Sequence, residues 1–448
     1  MNRKRTPFFA LLILLVAVLA VRADKVDDAV KAAMLKQHVP GVSIAVVKDG
    51  KIIKAEGYGL ANIELNVSAN AETVFKIGSV SKQFISAGIL LLAQEGKLGL
   101  DDNISKFLEG TPDTWKAITV RHLLTHTSGI VREAPGFDPL KIQSDADVIK
   151  TAYSLPLRFQ PGEKWEYCNV GYFSLAEIIH KVSGKPWPDY LNEVLFKPLE
   201  MNATRTTNMT ELVPNRANGY GWRDGHYENS AIYFALRPSG AFLSTVLDLA
   251  KWDAALYTDR FLKQTTRDQM WTVVKLNSGA TYPYGFGWSV DSVGGHRLMH
   301  HGGALPGFRS ELARFVDDRL TIIVLANSNN ADPEDIALDV AEFYIPNLIP
   351  TPIAVKVNPG AFDAYVGEYQ ASDQGAPLGK IWREGDKLMI QVGANGEKRE
   401  LQPKSESSFF TSADRRLTYV FVKDQSGHVS HLLLQVEGRE IGRAKKIK

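Results

Sequence analysis

Cysteine is almost absent from this chain of 448 residues, which holds a single one, Cys168. A lone cysteine excludes an intrachain disulfide framework, so the fold has to be held together by the burial of apolar side chains. A chain of this length can bury at least one large core, and we expect it to divide into two or three domains.

The chain also has few long apolar runs, and its net charge is small. The run from Phe8 to Val21 is shorter than the roughly 20 residues of a membrane-spanning helix. It follows three basic residues and ends at Val21-Arg22-Ala23, a pattern typical of a secretory signal over residues 1–23. We therefore predict an exported protein, periplasmic or secreted, without a membrane span after cleavage; a retained anchor is the alternative. The formal charge of +2, or about −2 without the signal, gives no indication of a nucleic-acid partner.

Signatures of metal sites are sparse as well. His122 and His126 lie four residues apart, a spacing at which two helical histidines can bind zinc. Leu123 stands where the metalloprotease motif has its glutamate. We expect no metal and no other cofactor, and zinc binding by this pair is the alternative.

The chain does contain one Ser-x-x-Lys tetrad, Ser79 to Lys82, at the start of a predicted helix that extends to Gln94. Residues three apart on a helix share a face, so the amine can take the proton of the hydroxyl. Removing that proton makes serine a nucleophile. Because such a tetrad is common by chance, the rest of the chain has to supply the other parts of a site.

Residue patterns predict how the chain is organised. Hairpins are predicted at Asp49-Gly50, Gly294-Gly295 and Asp317-Asp318, and helices at 24–38, 79–94, 171–182 and from Asp332 onward. Strands at both ends of a 24–346 domain predict one sheet built from distant segments, with a helical region inserted and the active site where they meet. The proline-rich residues 347–359 are a predicted linker, and the alternating pattern of 360–448 predicts a small β-barrel or curved sheet.

Several segments resemble the β-lactamase-related serine hydrolases, which include class C β-lactamases, D-alanyl-D-alanine carboxypeptidases, D-aminopeptidases and family VIII esterases. They occur in family order and cover essentially all of 24–346. The segments are 75–84, 121–129, 161–172, 239–252 and 301–308. The resemblance implies an α/β (α+β) sandwich: a mainly antiparallel sheet flanked by helices, with a helical subdomain. Residues 360–448 resemble the lipocalin-like β domain that often follows this hydrolase domain.

The resemblance also assigns the remaining site residues. Of three Tyr-x-Asn matches, beginning at Tyr167, Tyr190 and Tyr227, only the first has the family's flanking residues. Tyr167 is thus the implied partner of Lys82 in proton transfer, and a nearby ammonium would lower its pKa. Asn169 is expected to hydrogen-bond Lys82 or a substrate carbonyl.

The third motif of the family, Lys-Thr-Gly or His-x-Gly on a strand, matches here from either His300 or His301. The offset to Gly307-Phe308 favours His301-Gly302-Gly303, and the resemblance makes the Ala304 N–H the second oxyanion donor beside that of Ser79. Glycine here lets a substrate lie close to the strand. Histidine in place of lysine weakens the case for carboxylate recognition, because imidazole is mostly neutral at pH 7.

These observations predict a serine hydrolase that works through an acyl-enzyme on Ser79, with an ester, amide or peptide as substrate. Esterase or D-amino-acid peptidase activity is favoured over true β-lactamase activity, and a cell-wall peptide is one candidate substrate. Cys168 is an alternative nucleophile without a visible histidine base, and a small buried side chain is its favoured interpretation. The alternative for the whole protein is a catalytically silent protein that binds peptidoglycan or a peptide. The sequence leaves the oligomeric state open.

Overall fold

The computed structural model of the chain describes residues 25–447 apart from 207–210, 231–236, 241, 372–376, 394–395, 413 and 437. The predicted signal segment 1–23 lies outside the described residues. The chain divides into two compact units: the first runs to Ile345 without residues 293–295, and the second comprises 293–295 and the residues from Pro346 onward.

A seven-stranded sheet forms the centre of the first unit. Its strands are β1 (Gly41–Lys48), β2 (Lys51–Asn62), β3 (Val67–Ser68), β10 (Ser289–Val293), β11 (His296–Leu305), β12 (Phe308–Phe315) and β13 (Leu320–Ala326). Their order across the sheet is β10-β11-β12-β13-β1-β2-β3. The pairings described from β11 to β3 are all antiparallel. The N-terminal strands β1 and β2 therefore complete a sheet whose other half comes from residues 289–326.

Turn chemistry explains why β1 and β2 form a hairpin. Asp49 and Gly50 both have positive φ, 52° and 73°. This is the backbone of a two-residue turn whose twist matches the strands, and Asp-Gly favours it. β1 and β13 are almost entirely buried. Strands buried on both faces are apolar throughout, which indicates that the sheet is covered on both sides.

The helices of the first unit flank the sheet, and most of them lie in the sequence between the strands of its N-terminal and C-terminal halves. They are α1 (25–37), α2 (Lys82–Gln94), α3 (Val120–Leu124), α4 (Asp145–Lys150), α5 (Asn169–Ser183), α6 (Trp187–Leu191), α7 (Val246–Ala255), α8 (Gln264–Met270) and α9 (Pro333–Ala341). α9 packs on β12 and β13, and α7 packs on β1, β2 and β13. α2 is buried from Lys82 to Leu92, because apolar residues occur all round it.

Three short strand pairs complete the first unit. They join β4 (Phe75–Lys76) to β7 (Leu243–Ser244), β5 (Tyr220–Arg223) to β6 (His226–Asn229), and β8 (Val274–Lys275) to β9 (Thr281–Tyr282). The first pair matters for the site, because β4 leads directly into the segment that carries Ser79.

The second unit is a closed eight-stranded barrel with strands in sequence order. A 3-10 helix, Pro359–Ala364, precedes it. The strands are β14 (Gly367–Ala371), β15 (Pro377–Glu384), β16 (Lys387–Val392), β17 (Lys398–Pro403), β18 (Ser408–Thr411), β19 (Asp414–Lys423), β20 (Val429–Val436) and β21 (Arg439–Lys446). β14 pairs with β21 and closes the barrel around a core that includes Tyr369 and Phe421.

The predicted fold class is confirmed: an antiparallel sheet with helices, followed by a small barrel. The three predicted hairpins and the helices at 79–94, 171–182 and from Asp332 are present, with ends shifted by a few residues. Residues 347–358 of the predicted linker carry no helix or strand. Among the described residues, every helix is too short or too polar to cross a lipid bilayer.

Candidate active site

Ser79 lies in a tight 3-10 turn, Gly78–Ser81, that runs directly into α2. Two hydrogen bonds fix this Ser79 turn: the Ser310 hydroxyl donates to the Ile77 carbonyl at 2.8 Å, and the Phe242 N–H donates to Ser81 Oγ at 3.2 Å. The flanking side chains are buried, whereas Ser79 is half-buried. The fold therefore holds one accessible hydroxyl at the N-terminus of a buried helix.

Lys82 extends one helical turn behind Ser79, where its amine meets three oxygens. Nζ lies 3.2 Å from Ser79 Oγ, 2.9 Å from Asn169 Oδ1 and 2.8 Å from the backbone carbonyl of Ser239. The side chain is fully buried. Burial first, and then the positive charge of Arg237, hold the pKa of Lys82 well below its ordinary value.

A neutral Lys82 amine fits this arrangement. It has two hydrogens and one lone pair, and two of its neighbours, the amide oxygen of Asn169 and the carbonyl of Ser239, can only accept. In that form both hydrogens bond to these two oxygens and the lone pair faces Ser79 Oγ, whereas the protonated form donates its third hydrogen to the same oxygen. In either form the geometry places the Lys82 amine within hydrogen-bond reach of the Ser79 hydroxyl.

Asn169 presents its oxygen to Lys82 because its other end is bound to a carboxylate. Asn169 Nδ2 donates to Glu133, and the Glu133 carboxylate forms an ion pair with Arg237. Arg237 also donates to Ser239 Oγ at 2.9 Å. A carboxylate accepts only, so it excludes the flipped amide, in which Nδ2 would face the lysine.

Tyr167 lies beside the amine, with its ring centroid 4.6 Å from Lys82 Nζ. Its hydroxyl is buried near Ser79, without a hydrogen bond of ordinary geometry to the residues that the structure describes. Burial raises the pKa of Tyr167, and this outweighs the opposing effects of Ser79 and Arg132. The predicted lowering of this pKa is therefore wrong, because the buried phenol holds its proton more firmly than an ordinary tyrosine does.

His301 to Ala304 form a third side of the site, here named the β11 wall. A Cβ on Gly303 would lie 2.0 Å from the Ile77 carbonyl oxygen, so only glycine permits this approach to the Ser79 turn. Gly78 has φ +52°, and a Cβ there would lie 2.6 Å from the Ala304 nitrogen. Two glycines thus bring the amide of Ala304 close to the backbone of the nucleophile.

The two adjacent histidines of β11 have opposite environments. His301 is buried beside Lys82, and burial followed by that cation lowers its pKa to about 3. His300 is also buried, but its bonds to Asp291 and Glu311 outweigh this and raise its pKa to about 10. His300 Nδ1 lies 3.0 Å from Glu311 Oε1 and Nε2 lies 3.6 Å from Asp291 Oδ2, so both ring nitrogens face carboxylates. His301, chosen from the sequence, is the one of the pair beside Lys82.

His122 and His126 do not converge on a shared site. His122 Nδ1 accepts from the Thr119 N–H at 3.1 Å, where it completes the cap of α3. His126 is fully buried and lies 3.2 Å from the Tyr284 hydroxyl. The zinc alternative for this pair therefore has no geometric support.

Cys168 is a buried helix cap. Its Sγ accepts from the Gly171 N–H and donates to the Val131 carbonyl, both at 3.3 Å. Burial raises the pKa of the thiol to about 12. A thiol in this state is a poor nucleophile, which is consistent with the predicted structural role.

Four groups around the site were missed from the sequence: Glu133, Arg237, the Ser239 carbonyl and Tyr284. The Glu133 and Arg237 side chains lie on loops more than 100 residues apart in sequence and carry no motif. Tyr284 begins the glycine-rich run Tyr284-Gly285-Phe286-Gly287, which lies outside the segments that resemble the family. Ser239 opens the segment 239–252, and this was the one available signal.

Known proteins share the sequence pattern and the fold of this chain. The family model described as Beta-lactamase matches residues 26–344. Penicillin-binding protein 4* of Bacillus subtilis strain 168 is 31% identical over 408 residues, covering 84% of this chain and 89% of that protein.

Two solved structures show the same fold. The octameric penicillin-binding protein homologue from Pyrococcus abyssi superposes with a TM-score of 0.67 at 25% identity, covering 95% of this chain and all of that one. The D-amino acid amidase from Ochrobactrum anthropi SV3 has a TM-score of 0.63 at 24% identity, covering 71% and 98% of the two chains. The family model spans well over half of this sequence, and the chain belongs to the beta-lactamase family of serine hydrolases.

Proposed function

We propose that this protein is an exported hydrolase that forms an acyl-enzyme on Ser79 with an ester, amide or peptide substrate. The observation that carries the proposal is the position of the buried Lys82 amine, which is held by Asn169 and Ser239 with Nζ 3.2 Å from Ser79 Oγ. A base within hydrogen-bond reach of a nucleophile is the central requirement of such a site.

Acylation follows from this arrangement. Lys82 takes the Ser79 proton as the Oγ–carbon bond forms, and the carbonyl oxygen becomes an oxyanion. The N–H groups of Ser79 and Ala304 are the proposed donors to it; backbone donors fixed in advance stabilise the developing charge. The Lys82 proton then passes to the leaving oxygen or nitrogen through the neutral Tyr167 hydroxyl as the carbonyl bond to the leaving group breaks.

Deacylation reverses these steps with water as the nucleophile. Lys82, now neutral again, accepts a proton from water directly or through Tyr167, and the water oxygen attacks the acyl carbon. Collapse of the second tetrahedral intermediate returns the proton to Ser79 Oγ and releases the acid. Lys82 therefore serves as the base in both halves of the reaction.

The β11 wall supports a preference for substrates without a carboxylate at that wall. A neutral His301 gives no ion pair to such a group. The name of the B. subtilis relative, a penicillin-binding protein, makes β-lactams a class of acylating compound to include. A panel of p-nitrophenyl esters, nitrocefin and D-amino-acid amides separates esterase, β-lactamase and amidase activity, and we expect ester turnover to exceed nitrocefin turnover.

Intact-protein mass spectrometry after treatment with a fluorophosphonate tests the nucleophile. One adduct per chain is expected, and Ser79→Ala should abolish it. Equal labelling of the variant would contradict the assignment. Labelling without turnover of any panel substrate would favour the alternative, a binding protein that keeps the scaffold and lacks hydrolysis.

Glu133 orients the Asn169 amide, and its replacement gives a further prediction. In Glu133→Ala the Asn169 amide loses the carboxylate that fixes its orientation, so its NH₂ group can turn toward Lys82 and compete for the lone pair. We expect kcat for the best panel ester to fall about tenfold, roughly the value of one charged hydrogen bond. Glu133→Gln keeps an acceptor and should retain most activity; equal losses in the two variants would rule out this role.

A further inference from the structure

A chain of hydrogen bonds runs behind the β11 wall and joins two histidines. The Cys168 N–H lies 3.1 Å from His126 Nδ1, and His126 Nε2 lies 3.2 Å from the Tyr284 hydroxyl. That hydroxyl lies 2.9 Å from His301 Nε2, and His301 Nδ1 lies 2.6 Å from the Gly302 carbonyl oxygen. All three side chains are buried, so these contacts are shielded from water.

The backbone groups at the two ends fix the direction of every bond. A backbone N–H only donates, so His126 Nδ1 carries no hydrogen and its Nε2–H donates to Tyr284. A carbonyl only accepts, so His301 Nδ1 carries the hydrogen and Nε2 is the acceptor. The single hydrogen of the Tyr284 hydroxyl then fills the remaining bond, to His301. Two neutral imidazoles and one phenol satisfy the chain completely.

An extra proton on His301 would break this arrangement. Nε2–H would then face the Tyr284 hydroxyl, whose hydrogen would have to turn away from His301 toward its other neighbour, the Tyr172 hydroxyl. The charged neighbours that act most strongly on the two imidazoles oppose an added proton: Lys82 on both when it is protonated, His300 on His301, and Arg132 on His126. The other groups packed around them are the rings of Trp165, Tyr167 and Tyr172. The hydrogen-bond geometry and the neighbouring charges therefore both disfavour a second proton on His301.

We propose that His126 and Tyr284 are positioning residues that hold His301 in its neutral Nδ1–H form, so that the β11 wall accepts an uncharged part of the substrate and discriminates against a carboxylate. The effect on substrates rests on the proposed function. The hydrogen-bonding state of His301 does not rest on the proposed function, so an experiment can contradict one of them and leave the other standing.

Nitrogen-15 NMR of the histidine rings tests the hydrogen-bonding state without any substrate. In the unaltered protein the His301 signals, assigned with His301→Gln, should show the neutral Nδ1–H form from pH 8 down to about 4.5. In Tyr284→Phe, which removes one oxygen, the titration midpoint should rise by about one pH unit, equivalent to one net hydrogen bond. An Nε2–H tautomer, or titration near the ordinary imidazole value in the unaltered protein, would overturn the proposal.

Paired substrates test the consequence for specificity. The p-nitrophenyl ester of butyric acid and the mono-p-nitrophenyl ester of glutaric acid share a leaving group and differ by a carboxylate. The ratio of their kcat/KM values, anionic over neutral, should be constant between pH 8 and pH 5 in the unaltered protein. In Tyr284→Phe the ratio should begin to rise at the acid end of this range, as the pH approaches the raised titration midpoint of His301.

A matched control separates this effect from a loss of folding. Tyr153→Phe removes a hydroxyl bonded to the Glu109 carbonyl, outside the chain, and should leave the ratio unchanged. In a His301→Gln background no imidazole remains to titrate, so adding Tyr284→Phe should have no further effect on the pH dependence. A persistent effect there, or an unchanged ratio in the single Tyr284→Phe variant, would refute the role in specificity.

Discussion

Replacing Lys82 by methionine is expected to lower kcat for ester hydrolysis by about 10³- to 10⁴-fold, the upper part of the range for a lost general base. Methionine keeps the unbranched stem that packs within α2 and removes only the amine. The Ser79 hydroxyl then has no neighbour to take its proton. Single-turnover release of p-nitrophenol measures the acylation step directly.

The pH profile and a second lysine provide the controls. Because the pKa of Lys82 is lowered, the unaltered enzyme should stay active well below the pH at which an ordinary lysine is protonated, and lose activity as the pH falls through the lowered pKa. Lys97→Met changes a lysine outside the site, three residues after α2 ends, and should leave kcat unchanged. Normal turnover by a folded Lys82→Met variant would remove Lys82 from the mechanism.

Gly303→Ala should produce the second-largest loss, about 10²- to 10³-fold in kcat, the usual effect of losing one oxyanion donor. The added Cβ would lie 2.0 Å from the Ile77 carbonyl oxygen and 2.3 Å from Ser310 Oγ. Both atoms fix the Ser79 turn, so β11 and the turn must separate. The proposed donors on Ser79 and Ala304 would then no longer converge.

The neighbouring glycine is a matched control for this variant. A Cβ on Gly302 would meet only the far end of the Glu311 side chain, at 3.0 Å, and the Ser310 carbonyl oxygen at 3.7 Å. Gly302→Ala should therefore keep kcat within a few-fold of the unaltered enzyme. Thermal unfolding distinguishes lost catalysis from lost fold, since overpacking of this kind costs about 1–3 kcal/mol. Equal activity of the two variants would contradict the oxyanion assignment to this strand.

Local patterns predicted much of the fold. Asp49-Gly50 specifies its own turn by backbone conformation, and the apolar residues after Lys82 specify a buried helix. Strand patterns at both ends of 24–346 also predicted one sheet built from distant segments, but they did not predict that β1 pairs with β13, where Val42 lies opposite Ala326. Periodicity alone contains no information about such a pairing.

The chemistry of the site was less predictable, because charge states depend on burial. From the sequence, Tyr167 beside an ammonium should have a lowered pKa; in the fold, desolvation raises it and also lowers that of Lys82. Likewise, Glu133 and Arg237 meet only because two loops close over Asn169. Spacing within a segment could indicate a nucleophile and its base, but could not indicate the groups that orient them.

The closed barrel of residues 367–446 limits how that unit can recognise anything. Each described strand is hydrogen-bonded to a neighbour on both sides, with β14 joined to β21, so the described barrel leaves no strand edge free. An extended peptide cannot add itself as a ninth strand, which is a common mode of peptide capture by β domains. Any ligand of this unit has to be held by side chains on its surface or at its mouths, and the absence of an edge also protects the unit from strand-mediated aggregation.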